Sequence, residues 1–205
     1  MKGLLIRELH MTWFVGKSLM LFAFVFGLFV MFTEGNLFFA IYPALMFSML
    51  PLSILATDER SRWDVYADTL PCSRSQQVSV KYLMSLIYTV SVTLFIGLCQ
   101  FVQMLRTDSF DLSGLIYLLL LVAALSLLSV SLCLPFTFRF GMEKGRLMYF
   151  CVLGLFGAVL ALLATVSHSL SLPKMTMPLA LLIGAGLFAL SWLLSIRFYR
   201  KRELH

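Results

Sequence analysis

The side chains that could do catalytic or metal chemistry are few in this chain and lie far apart. The four cysteines stand at positions 72, 99, 133 and 151, and the three histidines at 10, 168 and 205, without the spacing of metal ligands. Gly16-Lys17-Ser18 looks like the end of a phosphate-binding loop, but Met11 stands where the first glycine is needed. We therefore expect no catalytic residue, no metal site and no cofactor in the chain itself, and we do not expect an enzyme.

Charged and aromatic side chains are concentrated in residues 57–81. Apolar or aromatic residues recur at i, i+3, i+4 and i+7, which predicts one face of a short helix: Trp63, Tyr66, Ala67 and Leu70. Asp58 and Glu59 are expected at the start of this helix, where acidic side chains suit the helix dipole. Ser73 and Gln76 have the spacing of a capping box, which predicts a second helix running into the next apolar run.

The pattern leaves two interpretations of this segment open. In the first, its aromatic face rests on the headgroups of the membrane lipid. In the second, it docks another protein through two aromatic anchors and three charged side chains: Trp63, Tyr66, Asp58, Glu59 and Arg62. Aromatic residues and arginine dominate the binding energy of protein interfaces, and truncating a buried anchor costs about 2 kcal/mol.

Six long apolar runs would position these residues: 13–32, 37–55, 82–104, 112–137, 147–167 and 177–196. A helix needs roughly 20 apolar residues to cross the hydrocarbon core of a bilayer. Hydrophobic residues make up 60% of the chain and charged residues 13%, and no separate soluble domain stands out. The predicted fold class is all-α, a single polytopic membrane domain over 1–205 with six transmembrane helices and short cytoplasmic coupling helices.

Basic residues fall mostly on one side of this predicted membrane. Fourteen of the 16 lysines and arginines lie in the termini and loops of one side, and only Arg106 and Lys174 on the other. Since cytoplasmic loops are rich in lysine and arginine, both termini are predicted to be cytoplasmic. The net charge of +6 follows from this topology, so no nucleic-acid partner is expected. Residues 1–12 are predicted to form a short interfacial helix before the first span.

The spans themselves contain no aspartate or glutamate. Ion-coupled carriers commonly place ionisable groups inside the membrane, which makes that class the least favoured. The third span carries a polar stripe on one helix face, formed by Ser85, Thr89, Thr93, Gln100 and Gln103. Such groups either bond across packed helices or line a substrate path that opens between two copies, and both interpretations stay open.

Small residues mark one face of the fifth span, at Gly154, Gly157, Ala158 and Ala161. Small side chains let helices approach closely in a membrane. This face is expected either to pack within one chain or to meet a second copy.

Two cytoplasmic loops carry residues of a known family. The first holds Asp58-Glu59-Arg60, Trp63-Asp64, Tyr66-Ala67, Leu70-Pro71, Ser73-Arg74, Val78 and Lys81-Tyr82. The second holds Pro135 and Phe140-Gly141-Met142-Glu143-Lys144-Gly145-Arg146. With the six-span plan, these loops resemble the small permeases of type-2 ATP-binding-cassette (ABC) exporters, although Arg60 stands where lysine is more usual.

The resemblance implies a pair of permeases, identical or related, and a pair of cytosolic ABC ATPases that bind ATP and Mg. It implies that 57–81 is a coupling helix whose docking residues are Asp58, Glu59, Arg62, Trp63, Asp64 and Tyr66, with Glu143, Lys144 and Arg146 in a second contact.

The expected function is that of a cell-membrane permease that exports amphipathic or antimicrobial-type peptides, a substrate class implied only by the resemblance. The alternative is a membrane anchor or sensor subunit that docks a cytosolic partner through 57–81 without transporting anything.

Overall fold

Helices make up nearly all of the chain that the structure describes. The computed structural model describes residues 2–32, 37–69, 73–107, 111–166 and 176–201. Its helices in chain order are α1 (Lys2–Phe32), α2 (Leu37–Ser48), α3 (Leu50–Arg60), α4 (Trp63–Asp68), α5 (Arg74–Thr107), α6 (Leu112–Phe140), α7 (Met142–Val166) and α8 (Thr176–Lys201). These ranges contain no strand, and the predicted all-α polytopic class is confirmed.

Within the described residues, five helical segments are long and apolar enough to cross a membrane: 3–30, 39–60, 74–107, 112–140 and 181–199. The second combines α2 and α3. The predicted span at 147–167 falls on α7, which is helical from Met142 to Val166, and its role as a sixth span stays a prediction. Helix α1 is unbroken over 31 residues, so the described part of the predicted interfacial segment 1–12 continues directly into the first span.

The break between α2 and α3 lies at Met49, two residues before Pro51. A proline cannot donate a backbone hydrogen bond, and its ring crowds the carbonyl four residues earlier, which for Pro51 is that of Phe47. Pro51 is accordingly in the first turn of α3, where its missing N–H leaves no bond unmade. The hydroxyl of Ser48 donates to the carbonyl of Leu45 at 2.7 Å and covers the end of α2. This segment therefore forms two short helices, α2 and α3, instead of one continuous helix.

The end of α3 differs from the sequence prediction. Asp58 and Glu59 were expected to begin a loop helix, but they lie in the last turn of α3, which continues to Arg60. Carboxylates at a helix C-terminus oppose the helix dipole, so other contacts must stabilise them. The predicted capping box is confirmed, because the Gln76 N–H donates to Ser73 Oγ at 3.3 Å and the Ser73 N–H to Gln76 Oε1 at 3.1 Å.

Helix α5 is the central element of the bundle. With 34 residues it extends for about 50 Å at 1.5 Å per residue, well beyond the roughly 30 Å hydrocarbon core of a bilayer. Its buried face shares apolar clusters with helices α1, α2, α3, α6, α7 and α8. The hydroxyl of Tyr82 lies 2.7 Å from Ser191 Oγ and 2.6 Å from Ser195 Oγ, which joins α5 to α8.

A single glycine turns the chain from α6 into α7. Gly141 has φ 85° and ψ 175°, a backbone conformation that is essentially restricted to glycine. The next glycine of this corner, Gly145, lies against Thr137 so closely that an added Cβ would collide with the threonine side chain. The first turn of α7 is therefore held tightly against the last turns of α6.

The ends of several helices meet at one end of the bundle, which we call the charged end. Side-chain contacts join the start of α1, the end of α3 and the start of α5 there. Tyr199 donates to Gln77 Oε1 at 3.0 Å and packs edge-on against Phe138, which adds the ends of α8 and α6. The segments in which the sequence concentrates its basic residues thus lie together.

Candidate functional site

Helix α4 is a single short helix held between two turns at the charged end. Arg62 precedes it in the left-handed conformation, with φ 50°, and is the one non-glycine residue with positive φ in the described ranges. Thr69 follows it, and its hydroxyl donates to the carbonyl of Tyr66 at 2.7 Å. The turn at Arg62 redirects the chain out of α3, so α4 forms a separate element at the end of the bundle.

Four charged side chains form an ion cluster beneath α4: Arg7, Glu8, Asp58 and Lys81. Lys81 Nζ lies 2.7 Å from Glu8 Oε1 and 2.6 Å from Asp58 Oδ2. Arg7 pairs with Glu8 at 3.0 Å and also with Asp58. Glu8 and Asp58 are each only 3% exposed. The two cations balance the two anions. A buried set of charges requires this balance, because burying an unpaired charge costs a large amount of free energy.

Trp63 connects this cluster to α4. The guanidinium carbon of Arg7 lies 3.9 Å from the centre of the Trp63 ring, a cation–π contact. The Trp63 and Tyr66 rings are 5.3 Å apart, yet Trp63 is half-buried whereas Tyr66 is 57% exposed. Tyr66 is therefore the aromatic side chain of α4 that is most accessible to a partner.

An open groove of about 490 Å³ joins the two loops that were predicted to dock an ATPase. We call it the docking groove. It is lined by residues from the end of α3 and from the corner between α6 and α7: Ala56, Glu59, Arg60, Phe140, Gly141, Glu143, Lys144 and Arg146. Three of these side chains are cationic and two are anionic, which suits a partner surface that carries both charge signs.

The predicted docking residues separate into three groups. Glu59, Glu143, Lys144 and Arg146 line the docking groove. Arg62 and Tyr66 are exposed on the turn and on α4. Asp58 and Trp63 contact other parts of this chain, and Asp64 lies in α4 with its side chain outside the described set. A direct docking role for Asp58 stays untested, and the structure gives its carboxylate partners inside the protein.

Sequence reasoning missed the partners of Asp58. Neither Glu8 nor Lys81 was singled out as a functional residue, and Arg60 was noted only for the family pattern. One signal was available: Lys81 lies four residues before Ser85, on the same face of α5 as the polar stripe. A lysine on the side of a helix that packs against other helices needs an anionic partner.

The polar stripe of α5 is turned largely inward. Ser85, Thr89 and Gln103 are buried, and Thr93 and Gln100 are half-buried. The hydroxyls of Ser85, Thr89 and Thr93 each donate to the carbonyl four residues earlier, at 2.8, 3.0 and 2.7 Å. These three hydroxyls bond within α5 and not across packed helices, and both the packing and the substrate-path interpretations stay predictions.

The small-residue face of α7 is open within this chain. Gly154, Gly157 and Ala158 are exposed, and a methyl group added at either glycine would meet nothing within 4 Å among the described residues. Helix α7 is also helical at Ala161, whose side chain lies outside the described set. The described residues leave this part of the face uncovered, and packing within one permease or against a second copy both stay predictions.

No group of three or more potential metal ligands occurs in the described ranges. At the charged end, four charged side chains pair with each other in the ion cluster and five line the open groove. This is the arrangement of a binding surface.

The long apolar helices define a multi-pass helical membrane protein with a charged groove at one end of its bundle. Residues 3–200 match the family described as ABC-2 family transporter protein, and the chain belongs to this family. No curated protein and no solved structure matches the chain. Membership makes it a transmembrane permease of an ABC transporter and implies an ABC ATPase as partner.

Proposed function

We propose that this permease receives its ABC ATPase in the docking groove, with Tyr66 and Arg62 on α4 as a second part of the same surface. The observation that carries this proposal is that Glu59 and Lys144, far apart in the sequence, line one groove. A partner seated there would contact α3, α4, α6 and α7 at once. Movement of the ATPase would then act on several spans together, as a rigid-body transition requires.

The ion cluster supports a route from this surface into the bundle. Asp58 is adjacent to Glu59 and is bound to Lys81 on α5 and to Arg7 on α1. Two residues before Lys81 on α5, Ser79 accepts a hydrogen bond from Trp192 of α8 at 3.2 Å. Displacement of the end of α3 would therefore pull on α1 and α5 through ion pairs and on α8 through hydrogen bonds.

The working transporter in this proposal has two permease copies, identical or related, and two ATPases. The open face of α7 at Gly154, Gly157 and Ala158 supports a second copy, because small residues permit close helix contact in a membrane. ATP and Mg are bound by the ATPase. The charged end faces the cytoplasm in this proposal, together with both termini, which agrees with the fourteen basic residues that the sequence pattern assigns to one side of the membrane.

The transported substrate in this proposal is an amphipathic or antimicrobial-type peptide that moves out of the cell. Support comes from the resemblance of the 58–82 loop to that of small six-span peptide exporters. The apolar lining of the spans would tolerate the apolar face of such a peptide. Energy comes from ATP, since the predicted spans carry no carboxylate that could couple transport to an ion gradient.

Photo-crosslinking in the native membrane tests the docking proposal. A photoreactive amino acid is placed at Arg60 or at Lys144, and a matched control carries it at Leu94, which is exposed on the lipid-facing side of α5. We expect both groove positions to capture the same ATPase and the control position to capture none. Capture from neither groove position, with both variants inserted and folded, would contradict the docking proposal.

Transport by inverted vesicles distinguishes this proposal from the anchor or sensor alternative. Vesicles that contain the permease and its ATPase should accumulate a labelled cationic amphipathic peptide only when ATP and Mg are supplied. An ATPase that binds the docking groove without any ATP-dependent accumulation of peptide, lipid or drug would favour the non-transporting alternative.

A further inference from the structure

A second groove, which we call the lateral groove, runs between α6 and α8. It has a volume of about 390 Å³, and its walls are almost entirely apolar: Leu132, Phe136, Leu187, Leu190, Leu194 and Phe198 contribute. Several of these side chains are exposed within the chain, including Phe136 and Leu190. The groove begins beside Pro135, where the proline ring removes one backbone hydrogen bond from α6.

Two cations lie at the end of the lateral groove. The guanidinium carbon of Arg139 is 5.0 Å from the ring centre of Phe140 and 5.0 Å from that of Phe198. The ammonium group of Lys144 lies 5.7 Å from the same Phe140 ring. Both cations are exposed, and neither forms an ion pair with any residue in the described ranges. The aromatic rings stabilise these two cations through cation–π contacts but do not neutralise their charge.

The position of Arg139 along α6 matches the headgroup region of a bilayer. Helix α6 has 29 residues, and Arg139 lies in its last turn. A span of this length crosses the roughly 30 Å hydrocarbon core with both ends in the polar region. The apolar part of the lateral groove therefore lies at acyl-chain depth, and Arg139 lies at phosphate depth.

We propose that the lateral groove binds one anionic phospholipid. One acyl chain lies along Leu187, Leu190 and Leu194, and the headgroup phosphate contacts Arg139 and Lys144. Basic pockets between membrane helices on a basic-rich side attract anionic headgroups in this way. Arg139 lies outside the lining of the docking groove, whereas Lys144 is part of it, so Arg139 is the residue that tests the lipid site separately from ATPase docking.

Charge favours a lipid over a second permease copy as the occupant. In a symmetric dimer the same patch meets itself, so contact across this groove would bring Arg139 close to its own copy. Like charges brought together in a poorly hydrated interface repel each other. An anionic headgroup neutralises the same two cations.

Native mass spectrometry of the full-length permease in detergent tests the lipid site. Phosphatidylglycerol and phosphatidylcholine with identical acyl chains are titrated separately, and the dissociation constant of the first bound lipid is measured. We expect tighter binding of phosphatidylglycerol. Arg139→Gln should weaken that binding about fivefold, the effect of one interfacial charge, and should leave phosphatidylcholine binding unchanged.

Matched variants distinguish the contribution of the lipid headgroup to binding from that of the acyl chain. Arg197→Gln removes an exposed charge of α8 that does not line the lateral groove, and it should bind phosphatidylglycerol as the wild type does. Leu190→Trp should fill the groove and weaken binding of both lipids. Leu193→Trp changes an exposed leucine outside the groove lining and should have no effect.

Several results would overturn the proposal. One is an unchanged dissociation constant for phosphatidylglycerol in Arg139→Gln. If Arg139→Gln does not fold, the dissociation constant for phosphatidylglycerol is measured with Lys144→Gln instead. Another is efficient disulfide cross-linking between two copies that carry Leu190→Cys and alanine at the four native cysteines, because a second copy would then cover the groove.

Discussion

At the scale of single residues, Lys81 holds the charged end together. It contacts both buried carboxylates, Glu8 and Asp58, and so connects α1, α3 and α5 at one point. Asp58 lies at the C-terminal end of α3, where the helix dipole disfavours a carboxylate. The ion pairs with Lys81 and Arg7 offset this effect, which explains why an acidic residue is stable there.

Replacing Lys81 with methionine tests the ion cluster. Lys81→Met keeps most of the side-chain volume but leaves two buried carboxylates with one cation, and we expect it to lower the free energy of unfolding by about 3 to 5 kcal/mol. Chemical unfolding in mixed micelles measures the change. The double variant Asp58→Asn with Lys81→Met should recover part of the stability, because Glu8 then keeps Arg7. Lys17→Met, at an exposed lysine of α1, is the control.

Tyr66 and Trp63 should behave differently when truncated. Tyr66→Ala is expected to weaken ATPase binding by about 2 kcal/mol, roughly 30-fold, with little change in stability, because its ring is mainly exposed. Trp63→Ala should lower thermal stability, since it removes the ring that Arg7 contacts. Binding of purified ATPase and a thermal melt of each variant measure the two effects. A Tyr66→Ala variant that binds the ATPase like the wild type would contradict this assignment.

Sequence reasoning named candidate residues in the 57–81 segment but did not predict the contacts that they make within this chain. Asp58 and Glu59 are adjacent and were given one role, yet Asp58 faces α5 and Glu59 lines the docking groove. Successive residues on a helix point about 100° apart, so this difference depends on the rotation of α3. Spacing along the chain does not determine that rotation, which is set by packing against α1 and α5.

At the scale of elements, the corner between α6 and α7 shapes half of the docking groove. Gly141→Ala should cost about 1 to 3 kcal/mol, because its φ of 85° and ψ of 175° strain any residue with a Cβ. Gly154→Ala is the matched control, since a methyl group there meets nothing within 4 Å among the described residues. It should be neutral or stabilise α7 by about 0.5 to 1 kcal/mol. Thermal unfolding compares the two variants.

The open face of α7 predicts where a second permease copy binds. Gly157→Leu should prevent close helix contact and shift the purified permease from dimer to monomer, as measured by light scattering in detergent. Gly186→Leu is the control, because Gly186 on α8 is equally open in the described structure. A Gly157→Leu variant that remains dimeric would place the dimer interface on another helix.

The apolar runs of the sequence predicted most of the helices. Where each helix begins and ends depends on contacts with other parts of the chain. Helix α3 continues beyond the predicted end of its span at 55 to Arg60, and its last turn contains Asp58, which binds Lys81. The capping box at Ser73 was predicted correctly, because it depends only on residues three apart. The side chains that pair across the bundle lie 23 and 73 positions apart, and no local pattern shows such pairs.

At the scale of the whole molecule, the charged end and the spans form one connected structure. The docking groove contacts α3, α6 and α7, while the ion cluster contacts α1, α3 and α5. Tyr82 and Tyr199 join α5 and its neighbours to α8. A partner that moves the end of α3 therefore acts on helices throughout the bundle, which is what coupling an external ATPase to transmembrane motion requires.

Purification of the permease from its native membrane in mild detergent, followed by quantification of bound ATPase, tests this account most directly. We predict that the wild type retains an ABC ATPase in stoichiometric amount. A variant with Arg60→Glu, Lys144→Glu and Arg146→Glu, which reverses the cations of the docking groove, should lose it. Arg106→Glu, at an exposed arginine outside the groove lining, should keep it. Retention of the ATPase by the triple variant, or its absence from the wild type, would contradict the docking groove as the site of coupling.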